Sequence, residues 1–111
     1  MNRPFPRLVL KIERGSLSHR ETTWLHFHTP TAMWTTAHDL IKTVPDNDLT
    51  VREIVRITSI CVWRDGTANK LTIYTPHEAP WQCPRGFLSS RSQRVSATAI
   101  LPKEVLDEAA R

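Results

Sequence analysis

Apolar and polar residues alternate twice near the start of the chain. Over residues 7–14, Leu8, Leu10 and Ile12 share one face, with Arg7, Val9, Lys11 and Glu13 on the other. Over residues 22–28, Leu25 and Phe27 stand opposite Trp24, His26 and His28. A period of two belongs to half-buried strands, so these runs predict a hairpin with a long connection through residues 15–20. The period then lengthens. Met33, Ala37, Leu40, Ile41 and Val44 recur at i, i+4, i+7, i+8 and i+11, which is the stripe of an amphipathic helix. Thr29-Pro30 predicts its start, with a hydroxyl to accept from a free amide and a proline whose φ is already helical. Pro45 lacks an N–H and ends it.

After a turn at residues 45–48, two signals compete. Residues 50–53 (Thr-Val-Arg-Glu) have the spacing of a capping box. Residues 54–63 are dominated by β-branched side chains, whose stiff χ1 favours strands, so one long strand ending at Arg64 is predicted. Asp65-Gly66 opens a hairpin loop, and residues 71–75 return as the partner strand. From Pro76 to Arg94 no period is visible, and three prolines with several serines predict a long irregular basic loop. Residues 95–101 read as a last short strand. Pro102 then starts a terminal helix with Val105, Leu106 and Ala109 on its apolar side.

The order β-β-α-β-β-loop-β-α predicts one α+β domain over residues 1–111. A small mixed or antiparallel sheet would carry the main helix on one face. The order resembles that of a β-grasp domain at the level of topology only. No motif carries the likeness, and it implies nothing about activity.

Composition narrows this picture in three ways. A chain of 111 residues allows one domain, and 40% hydrophobic residues suffice for a core. The net charge is +4 with a pI near 9.6, and eleven of the fifteen cations are Arg, whose planar fork suits phosphates, carboxylates and base stacking. No apolar run is long enough for a signal peptide or a membrane span, so a cytoplasmic, membrane-free protein with reduced thiols is expected. Cys61, inside an apolar run, reads as a buried small hydrophobe, and Cys83 sits in the irregular stretch. Neither has the spacing of a zinc site.

If the face of Leu8, Leu10, Ile12, Leu25, Phe27, Leu71 and Ile73 packs on the helix, the odd set Val55, Ile57, Cys61 and Trp63 joins it. The opposite face would then gather Arg7, Lys11, Trp24, His26, His28, Arg56, Arg64 and Tyr74. Cations neutralise phosphates while flat rings stack on bases, so this mixture is what single-stranded nucleic acid requires. Arg85, Arg91 and Arg94, in a stretch without acids, would add a basic arm beside Trp81. The leading expectation is therefore a small non-enzymatic binding domain for nucleic acid.

The same face also carries Val9, Ile54, Ile60 and Val62. The long loop and terminal helix would in that case cover it, making Trp24 and Tyr74 second-core residues and the arginines rim residues with buried stems. A third reading is a protein-interaction module, an inhibitor or regulator anchored by Trp24, Trp81 and the 76–94 loop, or a homodimer formed through the sheet face. A fourth is a small toxin-type ribonuclease with His26 or His28 as general base and Arg56 against the phosphate. His26 and His28 stand about 7 Å apart on one strand face, where His19, His77 or Glu78 would complete a metal site. Exposed strand histidines are the simpler account, and no metal is expected. Gly15, Gly66 and Gly86 lie too far apart for a phosphate loop, so no cofactor is expected either.

Overall fold

The computed structural model describes residues 6–15, 18–42, 54–75 and 92–110. These form β1 (Arg7–Gly15), β2 (Arg20–Phe27), α1 (Pro30–Lys42), β3 (Ile54–Val62), β4 (Thr67–Tyr74), β5 (Gln93–Ser96), α2 (Ala97–Ile100) and α3 (Lys103–Ala110). The strands make one sheet in the order β2-β1-β3-β4-β5, and every pairing is antiparallel. Of the two sheet types open from the sequence, the antiparallel one is realised in an α+β fold with the main helix on one face. The Thr-Val-Arg-Glu box at 50–53, Val44 and Pro45 lie outside the described residues, as do Trp81, Cys83, Arg85 and Arg91.

Local chemistry accounts for the elements. The Thr29 hydroxyl accepts from the Ala32 amide at 3.2 Å, so α1 begins where the Thr-Pro pair predicts. Between β3 and β4 the chain turns through Arg64, Asp65 and Gly66, with Gly66 at φ +87. Trp63 N–H donates to the Thr67 carbonyl at 2.9 Å and Gly66 N–H to the Trp63 carbonyl at 3.2 Å. The Asp65 carboxylate accepts from the Thr67 hydroxyl at 2.6 Å and amide at 3.0 Å, and from Arg94 at 3.1 Å. The Thr67 hydroxyl, then its amide, with a smaller contribution from Arg94, hold that carboxyl below its ordinary range. This lock ties β5 to the β3–β4 hairpin.

Gly15 closes β1 at φ +121, and a Cβ placed there would lie 2.0 Å from the His19 carbonyl oxygen. A side chain at that φ costs about 1–3 kcal/mol before the backbone clash is relieved. Gly15→Ala should therefore lower the unfolding free energy measured in urea by at least that amount. A substitution without measurable cost would show that the β1–β2 connection is not built as described.

Two cores flank the sheet. On one side Leu8, Leu10 and Ile12 meet Ile57, Cys61, Leu71 and Ile73 beneath Met33 and Ala37 of α1. On the other, Val9, Ile60, Val62 and Ala68 meet Ala97, Leu101 and Ala109, with Val105 and Leu106 packed around them. The sequence had left open whether this second face was bare or covered. The C-terminal helices cover part of it. Cys61 is fully buried, and burial pushes its thiol from 9.0 up to about 11. The stability contributed by that neutral thiol is complete below pH 9 and is lost as pH rises toward 11.

Three sequence expectations are corrected. Tyr74 packs on the α1 side, not the opposite face, because a bulge between Ile57 and Thr58 pairs Ile57 with Tyr74 but Thr58 with Thr72. A second irregularity pairs Glu13 with Arg56 and Arg14 with Ile54, so Ile54 enters the α1 core in place of Val55. The last strand lies over Gln93–Ser96 rather than 95–101, and Ala97–Ile100 is a helical turn closed by Leu101 N–H to the Ala97 carbonyl at 3.0 Å. A stretch of four residues is too short to show a period that would separate strand from helix.

Candidate functional site

The strand register lays out the face opposite α1 in rows. Val9 pairs with Ile60, which pairs with Lys70, which pairs with Gln93. The next row is Lys11, Thr58 and Thr72, and the third is Glu13 and Arg56. The helices pack on Val9 and Ile60 of the first row and on Trp24, which pairs with Lys11 at the β2 end of the second. The second and third rows form the floor of an open groove of about 780 Å³, lined by Lys11, Glu13, Arg56, Thr58, Lys70 and Thr72. Gln93 of β5 and Ala99 and Ile100 of α2 form its side.

Positive charge dominates the groove. Glu13 is its one carboxylate among the described lining residues, and three cations converge on it: Arg20 at 3.6 Å, Lys11 at 3.7 Å and Arg56 at 3.8 Å. The Glu13 side chain is 12% exposed, against 30% for Lys11, 42% for Arg20 and 49% for Arg56. The cations therefore face solvent and the acid lies behind them. At these distances the pairs are loose and contribute little stability, roughly 0–1 kcal/mol each. Lys70, on the far side of Thr58 and Thr72, adds a further charge to the lining.

Of the residues singled out from the sequence, Lys11 and Arg56 meet in this groove. Trp24 lies on the same face but is half-buried against the second core, with the Lys11 ammonium 5.3 Å from its ring centroid. His26 sits on that face next to Val9, at the covered end. His28 is exposed just beyond β2, and Arg64 is exposed in the β3–β4 turn. Arg94 is held at Asp65, on the other side of β5 from Gln93. Strand geometry separates His26 from Arg56 by two strands and four residues, roughly 16 Å, so the register does not bring the proposed base to the proposed phosphate ligand.

Strands read from Leu71 and from Val95 leave out Lys70 and Gln93, while Thr72 lies inside the first of them but carries no charge or ring to single it out. The alternation Ala68, Lys70, Thr72 was visible once Gly66 was treated as the last turn residue. Among the described residues no three His, Cys, Asp or Glu side chains gather as a metal site. No helix among them is long and apolar enough to cross a membrane. Compared with protein-family models, curated proteins and solved structures, the chain matches none of them.

Proposed function

We propose that this chain is a small binding domain whose sheet groove engages the phosphate backbone of nucleic acid. The observation that carries this reading is the excess of cations, Lys11, Arg56 and Lys70, over one shielded carboxylate, Glu13, in the lining of the open half of the sheet. Backbone contact rather than base stacking is the mode that fits. Trp24 is packed against the second core beneath Lys11, and Tyr74 faces α1, so neither ring lines the groove.

Neutralising phosphates releases bound counterions, and for a single strand the logarithm of affinity falls by about 0.7 per contact for each unit of log salt. Three contacts give a slope near −2. Affinity for a labelled single-stranded oligonucleotide, read by fluorescence anisotropy, should therefore drop roughly twentyfold between about 50 and 200 mM salt. Absence of binding at 50 mM salt would remove the reading.

A further inference from the structure

On the reading that this groove holds a nucleic-acid backbone, we infer that it takes single-stranded RNA, recognised through ribose hydroxyls and without base preference. Lys11, Arg56 and Lys70 stand around an uncharged pair at the centre of the floor. Thr58 and Thr72 are directly paired across β3 and β4, with Thr58 buried and Thr72 exposed. Gln93 is exposed at the adjoining wall.

These groups both donate and accept hydrogen bonds. A phosphate oxygen only accepts, so lysine and arginine already meet its needs. A 2′-hydroxyl donates as well as accepts, and a threonine hydroxyl or glutamine carbonyl satisfies the donated proton. Deoxyribose offers nothing at that position. Lys11 and Lys70 stand on either side of the threonine pair, about 12 Å apart by strand geometry, leaving room for sugar contacts between the phosphates they take. No aromatic ring lines the groove among the described residues, so nothing there grips a base by stacking.

The test compares the full chain with a 12-residue oligouridine, the deoxyuridine oligomer of the same length and oligoadenosine, by anisotropy at low salt. The RNA should bind about tenfold more tightly than the DNA, with the two RNAs equal. Thr72→Val and Gln93→Leu together, checked for folding by thermal melting, should abolish the tenfold gap, so that the variant binds RNA and DNA equally. Equal, salt-sensitive binding of RNA and DNA would overturn this inference and leave the backbone reading standing. A preference that survives both substitutions, or a strong choice between uridine and adenosine, would also overturn it. If neither RNA nor DNA binds, the backbone reading itself fails.

Discussion

Replacing Arg56 and Lys70 together by Ala should weaken binding of a single-stranded oligonucleotide about a hundredfold at low salt while leaving the fold in place. A hydrogen bond to a charged partner contributes roughly 1.5–3 kcal/mol, so each lost cation is worth about tenfold or more. The salt slope should flatten by about 0.7 for each phosphate contact removed, from near −2 toward −0.7. Neither side chain belongs to a core, and Arg56 is about half exposed with a loose 3.8 Å pair to Glu13. Melting temperature should therefore shift little. Glu13→Gln moves the other way, because it removes the negative charge that Lys11, Arg20 and Arg56 share. Anisotropy titrations at several salt concentrations with melting curves on the same samples check both signs. Unchanged affinity in the double variant would exclude the groove as the binding surface.

The largest effect on stability is expected at Leu10. It is fully buried in β1, points toward α1 and is paired with Leu25 on one side and Ser59 on the other. Leu10→Ala removes apolar contact and leaves a cavity that the flanking strands can only partly close, a loss of about 2–5 kcal/mol. A domain of this size has roughly 5–15 kcal/mol in total, so the variant should melt at least about 10 °C lower. Urea unfolding gives the free energy directly. A cost below about 1 kcal/mol would mean that α1 does not seat over this strand. Because Leu10 and the groove are on opposite faces, variant that remains folded should bind as the parent does.

Much of the architecture was readable where one periodicity ran unbroken. The alternation at Leu8, Leu10 and Ile12 and the stripe at Met33, Ala37 and Leu40 gave the right faces because each residue there has one regular neighbour pattern. Parity failed where an extra residue enters a strand. Nothing in Leu71-Thr72-Ile73-Tyr74 signals that pairing slips opposite Ile57, yet that slip carries Tyr74 to the other face. The groove was half legible for a related reason. Lys11 and Arg56 stood out as charges inside apolar strands, whereas the contribution of Lys70 depends on where β4 begins and how it registers against Ile60. The cover over Val9 and Ile60 was the hardest part to read. It comes from Ala97 and Leu101, whose burial depends on a helical turn docking against the hairpin, through Ala97 N–H to the Gly66 carbonyl at 2.9 Å.

Consecutive residues of β1, Val9 and Leu10, anchor the two opposite hydrophobic layers, and neither is exposed at all. A disturbance in either layer thus reaches the same backbone, and the layers cannot melt as independent units. The amides of this strand should be among the last to exchange with deuterium, since exposing them requires both sides of the molecule to open at once.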